Sequence, residues 1–460
     1  MAGIFGTDGV RARINTGPMR AESVVRLALA AGRWFADKTA DDGRMTNPMV
    51  VIGKDTRLSG YMLESALVAG FTSIGINCRL LGPVPTAAVS YLTHSLRADF
   101  GVMISASHNP HHDNGIKLFG PDGHKLDDGI EAEISALMQG SIALAAAEGL
   151  GRARRIINSA QRYMEFAKAT FDTTQSLSGM RIVVDCAHGA AYRTAPETLT
   201  ELGADIVPLG VAPDGMNINL KCGATAPAAM AKAVVEAGAD IGICLDGDAD
   251  RLILADERGR ICDGDQILAA LALDAKAQGM LSGPVIGTVM SNLGLETVLG
   301  ENGIGFERAA VGDRYIHERM VKTNSSLGGE PSGHILLPEL TRTGDGLIAA
   351  LQLLSVMCRT GKTAFEILSC FTPVPQKLVN LKDMDKAILE TAQVKAAVAK
   401  AEAELGTQGR VLLRPSGTEP LIRVMVEATD EARLDAAMDQ LVAALKYAAE
   451  LGQIIPPKKI

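Results

Sequence analysis

Residues Ile104 to Gly120 have the sequence ISASHNPHHDNGIKLFG, and the rest of the chain is organised around this stretch. The residues just before it, Phe100 to Ile104, are apolar and lack helical spacing, which favours a short strand. The Asn-Pro and Asn-Gly pairs inside the stretch are strong turn signals. The pattern predicts a strand, a polar loop and a second strand, with Ser107, His108 and Lys117 close together.

Ser107 is predicted to carry a phosphate group. It lacks the G-x-S-x-G surroundings of a hydrolase nucleophile, and His108 is its chain neighbour rather than a partner from elsewhere in the fold. A hydrolase triad is therefore not indicated. An ordinary polar turn is the alternative for this loop taken alone. Three loops further along the chain, each suited to a phosphosugar or its counter-ion, favour the phosphate hypothesis.

Length and composition limit the class of protein. A chain of 460 residues predicts three or four domains, at about 100 to 200 residues per domain. Its 47% hydrophobic content, 48 glycines and few aromatics are typical of an α/β fold in which strands alternate with helices. The formal net charge of -8 argues against general binding of nucleic acid or anionic membranes, but leaves room for a local anion site.

The cysteines and the apolar runs indicate a cytoplasmic protein. Seven cysteines without any CxxC spacing are typical of reduced, mostly buried thiols rather than disulfides or a zinc site. The opening MAGIFGTDGVRA lacks the basic and apolar regions of a signal peptide. The longest apolar run, Leu347 to Cys358, is shorter than the roughly 20 residues of a membrane span and is predicted to be a buried helix.

A weak internal repeat supports a tandem architecture. Three segments, Val50 to Pro83, Ile182 to Gly210 and Val285 to Gly312, each run from a β-branched strand through a helical stretch to a glycine-marked second strand. Such βαβ units predict three similar α/β domains. The alternative is that any α/β protein shows such units by chance.

Changes in composition place the domain boundaries. Small and basic residues fill Gly140 to Arg155, where the arginines are interpreted as a solvated turn, and two prolines interrupt the pattern after Phe371. The predicted domains are 1–155 with the phosphoserine loop, 156–256 with the metal loop, 257–371 with the sugar-binding loop, and a smaller 372–460 with a phosphate-binding loop. The elements predicted in the last domain are a helix over Asp385 to Leu405, strands over Arg410 to Leu413 and Leu421 to Glu427, and a helix over Glu431 to Leu451.

A metal site is predicted at DGDADR, which directly follows the strand-like Ile241 to Leu245. Its alternate carboxylates can converge on one cation; they belong to Asp246, Asp248 and Asp250. We favour magnesium, which keeps few protein ligands and shares its coordination sphere with phosphate oxygens. A calcium loop ending at Glu257 is one alternative, but Arg251 stands where such a loop needs glycine, and a strand precedes it instead of a helix. A solvated acidic turn is the other alternative.

Three further loops offer groups for a phosphosugar. In GTDGVR, Arg11 could bind phosphate oxygens through its fork of donors, although this motif is also a common turn. In GGEPSGH, the carboxylate and hydroxyl suit a sugar's hydroxyls or an amino group, with a polar turn as the alternative. In RPSGTEP, hydroxyls and glycine next to arginine form a phosphate cradle, with a hairpin turn as the alternative.

Together these loops indicate phosphoryl transfer between a serine and a phosphosugar. Magnesium would bridge the serine phosphate, Lys117 would carry a proton, and the distant cradle would hold the phosphate that does not react. The predicted catalytic residues are Ser107, Lys117, His108 and Arg11, to which the family resemblance described next adds Arg251. The predicted substrate-binding residues are Glu330, Ser332, His334, Arg414, Ser416, Gly417, Thr418 and Arg423.

These loops, in this order and spacing, closely resemble the α-D-phosphohexomutases over essentially the whole chain. The motifs that carry the resemblance are SASHNP, DNGIK, PDGMNIN, CGAT, DGDADR, VGDR, GEPSGH, TGDG and RPSGTEP. The resemblance implies four domains around a central cleft, three with a shared α/β core and a last one with a TATA-binding-protein-like α+β fold. It also implies a phosphoserine at Ser107, one magnesium ion per chain held with it by the three aspartates, and Arg251 near the transferring phosphate.

The sequences of these motifs most resemble those of the family members that act on glucosamine phosphates. It implies interconversion of glucosamine 6-phosphate and glucosamine 1-phosphate, with glucosamine 1,6-bisphosphate or an equivalent hexose bisphosphate as primer, on the route to UDP-N-acetylglucosamine and the cell wall. The departures from the family pattern are Ala12, Lys221 and Pro331, of which Pro331 bears on sugar preference. The alternatives are a mutase for glucose or mannose phosphates, a non-catalytic phosphosugar-binding protein, and a magnesium-dependent sugar phosphatase. The sequence leaves a monomer and a homodimer open.

Overall fold

The computed structural model describes residues 4–6, 9–41, 48–415 and 421–454. These residues form two compact units. The larger runs to Thr288 and includes Ile304–Cys370, and it contains three sheets. The smaller combines Val289–Gly303 with the residues from Phe371 onward, and it contains one sheet.

The first sheet positions the serine loop. Its elements are β1 (Val10–Arg13), α1 (Ala21–Asp41), β2 (Met49–Lys54), α2 (Gly60–Ser73), β3 (Asn77–Pro83), α3 (Thr86–Ser95), β4 (Phe100–Ile104), β5 (Asp113–Phe119), α4 (Asp128–Leu137) and β6 (Ala153–Arg155). The strand order is β1-β5-β4-β2-β3-β6. Every residue of β4 is buried, and β4 pairs parallel with β2 and antiparallel with β5. The predicted strand, loop and strand are confirmed.

Aromatic packing holds α1 and α2 against β4. The rings of Phe35 and Phe100 are stacked with their centroids 4.3 Å apart, and Phe71 meets Phe100 edge-on at 5.2 Å. At the far edge of the sheet, the arginine-rich stretch predicted as a turn is instead the fully exposed strand β6, which pairs with β3. Its two arginine side chains suit an edge strand, because charge there discourages pairing with other chains.

The second sheet positions the acidic loop. Its elements are α5 (Ser159–Ala169), β7 (Arg181–Asp185), α6 (Thr194–Glu201), β8 (Asp205–Leu209), α7 (Ala228–Ala237), β9 (Ile241–Leu245), β10 (Leu252–Asp256) and β11 (Ile261–Cys262), in the strand order β11-β10-β9-β7-β8. β9 and β10 are antiparallel and fully buried, and their last pair joins Leu245 to Leu252. The acidic loop is therefore the turn of a buried hairpin.

The third sheet carries the glycine-flanked loop. The elements are α8 (Gly264–Ala277), β12 (Val285–Thr288), α9 (Leu293–Glu301), β13 (Phe306–Ala309), α10 (Asp313–Thr323), β14 (Gly328–Gly329), β15 (Ile335–Leu336), α11 (Gly346–Thr360) and α12 (Ala364–Leu368). The strand order is β13-β12-β14-β15. The helix predicted from the longest apolar run is confirmed as α11, most of which is buried.

The predicted repeat is confirmed in the strand pairing. In each of the three segments, the first and the last strand pair in parallel: β2 with β3, β7 with β8, and β12 with β13. In each pair one helix stands between the two strands in the chain. The first three domains therefore share an α/β core built on the same unit.

The smaller unit has an antiparallel sheet with helices. Its remaining elements are β16 (Gln376–Lys382), α13 (Ala392–Leu405), β17 (Gly409–Pro415), β18 (Leu421–Ala428) and α14 (Glu431–Ile454), with strand order β16-β18-β17. The α+β class is confirmed, but the sequence analysis missed β16. It also began the first helix too early, because the Thr391 side chain caps α13 by accepting from Val394 N–H, and a short 3-10 helix precedes it.

All seven cysteines are free thiols, as predicted from their number and spacing. Within the described ranges, no helix combines the length and the apolar character that crossing a membrane requires.

Candidate active site

The loop after β4 presents Ser107 to the acidic hairpin. The side chain is buried, its Oγ donates a hydrogen bond to Asp246 Oδ2 at 2.6 Å, and Oγ lies 3.2 Å from His108 Nδ1. The backbone of Ser107 has a φ of 51°, in the left-handed region that non-glycine residues rarely adopt. Such strain persists only where the surroundings impose it, and it is concentrated at functional sites.

The two loops approach each other through a glycine. A Cβ on Gly247 would lie 2.5 Å from the carbonyl oxygen of Ser107, so no larger residue fits without moving the backbone. Thr86, at the start of α3, donates its hydroxyl to Asp248 Oδ2 at 2.7 Å and fixes the acidic loop from the side of the first domain. Residues from two domains therefore build one pocket.

The acidic loop brings its carboxylates together. Ligand atoms of the three aspartates all lie within 4.8 Å of one another, and the residues Asp246, Asp248 and Asp250 are buried. Lys117, projecting from β5, places Nζ 3.0 Å from Asp248 Oδ2 and 3.1 Å from Asp250 Oδ2. The lysine offsets part of the negative charge of the triad.

The pKa values within the triad move in opposite directions. Burial, followed by the charges of Asp250 and Asp248, raises the pKa of Asp246 well above its usual range. Burial would also raise the pKa of Asp250, but the positive charges of Lys117 and His334 outweigh it and lower that pKa well below its ordinary value. At Asp246 the nearby positive charge of Arg251 does not outweigh burial and the neighbouring carboxylates, whereas at Asp250 the positive charges do.

The donor set fits a divalent cation. Asp248 Oδ1 and Asp250 Oδ1 are buried, and neither has a hydrogen-bond partner in the described part of the chain. Buried carboxylate oxygens without partners are costly, and a bound cation would satisfy them. The calcium alternative is disfavoured because the five residues of β10 carry Glu257 away from the triad, where its Oε2 accepts from Phe365 N–H at 2.9 Å.

The histidine next to Ser107 lies near two arginines. Burial, then the charges of Arg251 and Arg11, lower the pKa of His108 to about 4, so its ring is uncharged at neutral pH. Burial would lower the pKa of Arg251, but nearby carboxylates, led by Asp250 and Asp246, raise it overall. Arg251 Nε is buried and has no hydrogen-bond partner among the described residues, which leaves a donor for a phosphate oxygen.

The glycine-flanked loop is the turn between β14 and β15. Glu330 Oε1 accepts a hydrogen bond from Gly312 N–H at 2.9 Å, and Ser332 Oγ donates to Glu330 Oε2 at 3.1 Å. The charge of Glu330 is one of those that raise the pKa of Arg251. Glu330 and Ser332, which are predicted to bind the sugar, are therefore held together near Arg251.

His334, at the end of the same loop, is buried between two carboxylates. Its Nδ1 lies 3.7 Å from Asp250 Oδ1 and its Nε2 lies 3.5 Å from Asp313 Oδ2. Burial lowers the pKa of His334, but these carboxylates raise it more. A Cβ on Gly344 would come within 2.4 Å of His334 Nε2, so a glycine is needed where the ring packs.

The predicted phosphate cradle lies in the smaller unit. Arg414 of β17 and Arg423 of β18 are directly opposite each other in the sheet. Like charges at such a position repel, and a bound anion would relieve the repulsion. The other predicted cradle residues, Ser416, Gly417 and Thr418, lie outside the described residues.

Several buried or half-buried polar residues that support the site were not predicted from the sequence. Arg57, Asp55 and Asn219 bind the serine loop, and the signal for the first two is the charged KDTR that directly follows the apolar residues of β2. Asp345 of the TGDG motif caps α11 and accepts a hydrogen bond from the Tyr163 hydroxyl. Nothing in the local sequence indicates that last pairing.

The Asp345 carboxyl gives a prediction for stability against pH. Burial raises its pKa to about 6, against opposing hydrogen bonds from Ile348 N–H and Tyr163. The folded state therefore binds more protons than the unfolded state between about pH 4 and pH 6, and stability falls as pH rises through that window. Asp345→Asn is neutral throughout, so the Tm of the variant minus that of the wild type should grow from pH 4 to pH 7.

Tyr163→Phe is the matched control for this prediction. It removes the hydroxyl but keeps the Asp345 carboxyl, so its stability should still fall as pH rises. Because the hydrogen bond from Tyr163 lowers the pKa of Asp345, the fall should extend to higher pH than in the wild type. A difference between Asp345→Asn and the wild type that stays constant from pH 4 to pH 7 would contradict the assignment.

Comparison with known families defines the class. Four domain models of phosphoglucomutase/phosphomannomutase match in order: α/β/α domain I over residues 2–143, domain II over 161–259, domain III over 263–374, and the C-terminal domain over 378–444. These matches place the chain in the superfamily of phosphohexomutases, which are mutase enzymes.

Curated relatives narrow the class. The phosphoglucosamine mutase of Paracoccus denitrificans is 56% identical over 448 residues, which are 97% of this chain and 99% of that protein. The phosphoglucosamine mutase of Maricaulis maris is 54% identical over 450 residues, with the same coverage. The chain therefore belongs to the phosphoglucosamine mutase family.

Solved structures agree on the fold. A phosphoglucomutase/phosphomannomutase family protein from Burkholderia thailandensis has a TM-score of 0.81 at 24% identity and covers 97% of each chain. An Aspergillus fumigatus N-acetylphosphoglucosamine mutase, solved with GlcNAc-6P and magnesium, has a TM-score of 0.67 at 17% identity and covers 97% of this chain and 96% of its own.

Proposed function

We propose that this enzyme interconverts glucosamine 6-phosphate and glucosamine 1-phosphate through a phosphorylated Ser107, with glucosamine 1,6-bisphosphate as intermediate and primer. The observation that carries the proposal is the buried hydroxyl of Ser107, 2.6 Å from a carboxylate of an acidic triad. The relatives named phosphoglucosamine mutase support the choice of sugar.

The chemistry consists of two phosphoryl transfers. In the first, the bond between phosphorus and Ser107 Oγ breaks while a bond forms to the free hydroxyl of the sugar phosphate, whose proton passes to a base. In the second, the bond between phosphorus and the oxygen at the opposite end of the bisphosphate breaks as Ser107 Oγ accepts the phosphoryl group, and that sugar oxygen takes up the proton released in the first transfer. We assign the proton transfer to Lys117, whose ammonium is hydrogen-bonded to Asp248 and Asp250: it would give a proton to the leaving oxygen and regain one from the attacking hydroxyl.

We propose that one magnesium ion per chain is held by Asp246, Asp248, Asp250 and a phosphate oxygen on Ser107. The buried carboxylate oxygens without partners support this set. When bound, the ion would offset the negative charge of the transferring phosphoryl group. Magnesium is also present in the complex of the Aspergillus fumigatus mutase.

The remaining residues would bind the substrate. Arg251 and Arg11 lie close enough to His108 to lower its pKa, which supports a role for both in binding phosphate beside Ser107, and the neutral ring of His108 adds a hydrogen-bonding group. Glu330, Ser332 and His334 would bind the sugar. The cradle of Arg414, Ser416, Gly417, Thr418 and Arg423 would hold the phosphate that is not reacting. One reactive site and one holding site, used alternately, account for a 1,6-bisphosphate that turns around between the two transfers.

Rates on three substrates test this function. With a hexose 1,6-bisphosphate primer, we expect kcat/KM for glucosamine 6-phosphate to exceed the values for glucose 6-phosphate and mannose 6-phosphate. Faster turnover of glucose or mannose phosphate would favour the alternative, a phosphoglucomutase or phosphomannomutase, as in the solved structure from Burkholderia thailandensis. Steady release of inorganic phosphate from the substrate would instead indicate a phosphatase.

The domain limits, location and assembly also remain proposals. We propose domains at 1–155, 156–256, 257–371 and 372–460; the second sheet, however, extends through β11 to Cys262.

Seven free thiols support a reducing, cytoplasmic location. A homodimer is tested by light scattering on the purified protein.

A further inference from the structure

Arg57 lies in the loop between β2 and α2, completely buried beside the Ser107 loop. Its side chain and that of Asp55 are both 0% exposed, and Arg57 Nε donates to Asp55 Oδ2 at 2.7 Å. A buried ion pair is tolerated only when its remaining hydrogen-bonding groups are also satisfied. The partners of the guanidinium therefore indicate what the pair does.

All five N–H groups of the guanidinium are used. Besides the bond from Nε, four donors reach carbonyl oxygens in the loop after β4 and at the start of β5. Nη1 donates to Pro110 O at 2.5 Å and Asp113 O at 3.1 Å, and Nη2 donates to Ser107 O at 2.9 Å and Asn109 O at 2.8 Å. Lysine has three donors on a single nitrogen and cannot reproduce this planar set.

Both the N–H and the carbonyl group of Ser107 are hydrogen-bonded. Its N–H donates to Ser105 Oγ at 2.9 Å, and Ser105 Oγ donates to Asp55 Oδ2 at 2.7 Å. Its carbonyl accepts from Arg57 and, at 2.9 Å, from Asn219 Nδ2. These contacts impose the left-handed conformation of Ser107 and direct Oγ toward Asp246.

We propose that Arg57 is a positioning residue that keeps Ser107 in one place through both halves of the reaction cycle. The inference rests on the proposed phosphoserine mechanism. When Oγ carries a phosphate, its hydrogen bond to Asp246 is lost and about two negative charges are added beside the triad. The bonds from Arg57 end on backbone carbonyls, so phosphorylation of the side chain leaves them intact.

Two variants test the proposal in the full-length enzyme. Arg57→Lys keeps the charge but loses donors, and we expect kcat to fall on the order of 10²-fold, as for a displacement of about 1 Å in a reacting group. Asn219→Gly removes the side-chain amide, and glycine readily adopts the φ of 58° found at this position. We expect kcat of this variant to fall about 10-fold. KM for glucosamine 6-phosphate should stay within about 3-fold of wild type in both, because the sugar-binding loop is untouched.

Glu64→Gln is the matched control. It weakens another buried ion pair, in which Lys54 Nζ lies 2.8 Å from Glu64 Oε2. Glu64 belongs to α2, the helix that follows the loop of Arg57. We expect a lower Tm with unchanged kcat, whereas Arg57→Lys should show the loss of kcat even at temperatures where circular dichroism shows it folded. Intact mass should also show slower labelling of Ser107 by hexose bisphosphate in Arg57→Lys.

Wild-type kcat in folded Arg57→Lys would overturn the proposal. If that variant does not fold, Asn219→Gly decides: a tenfold lower kcat supports the anchoring of Ser107, and an unchanged kcat refutes it. A wild-type enzyme that is neither labelled by the bisphosphate nor active as a mutase would instead refute the proposed function.

Discussion

Replacing Ser107 with alanine is expected to lower mutase kcat by a factor on the order of 10⁴ to 10⁶, because the only proposed phosphate carrier is removed. Intact mass after incubation with hexose 1,6-bisphosphate should show an added phosphoryl group on the wild type and none on the variant. Stability should change by only about 1 to 3 kcal/mol, because the variant loses only the hydrogen bonds of Oγ with Asp246 and His108.

Ser135→Ala is the matched control for this result. Ser135 lies in α4 of the same domain, and its hydroxyl donates to Glu131 O, away from the triad. This variant should label and turn over like the wild type. Mutase activity or labelling retained in Ser107→Ala would reject the phosphoserine mechanism.

Asp246→Asn is expected to change activity and stability in opposite directions. Because burial and the neighbouring carboxylates raise the pKa of Asp246, its charge destabilises the folded state at neutral pH, and an amide removes that cost. The metal-free variant should therefore melt at or above the wild-type Tm at pH 7. Its kcat should fall at least 10²-fold, because a metal ligand next to Ser107 is lost.

Magnesium binding supplies a readout independent of activity. A ligand present at 100 times its Kd stabilises a folded protein by about 2.7 kcal/mol, so magnesium should raise the Tm of the wild type. Asp246→Asn should show little of this rise. The control Asp256→Asn weakens a partly buried ion pair with Arg260 at the far end of β10, and it should melt lower but still respond to magnesium. An equal magnesium response in Asp246→Asn would refute the metal site.

Local sequence predicted most of the elements that carry the site. β4, β9 and the turns after them follow from short apolar runs and from Asn-Pro, Asn-Gly and Asp-Gly signals, which depend only on neighbouring residues. The close spacing of the aspartates likewise allowed their carboxylates to converge, and the structure confirms that they do. The errors fell on β6, β16 and the start of α13, where edge pairing or one capping side chain decided the outcome.

The supporting residues could not be predicted in this way, since their partners are distant in the chain. Arg57 binds a carbonyl 50 positions away, Asn219 binds the same carbonyl across 112 positions, and Tyr163 meets Asp345 across 182. Hydrogen bonds of this kind form only after whole domains have packed, and no local pattern encodes them.

The sequence by itself determined the α/β class, the acidic loop and the serine that precedes Lys117, because chain-local spacing and side-chain chemistry decide all three. Only the tertiary structure decided that Ser107 Oγ meets Asp246, that Lys117 lies between two of the aspartates, and that a buried arginine holds the serine loop. The physical reason is burial: when packing removes these charges from water, each needs a partner, and packing alone determines which partner is within reach.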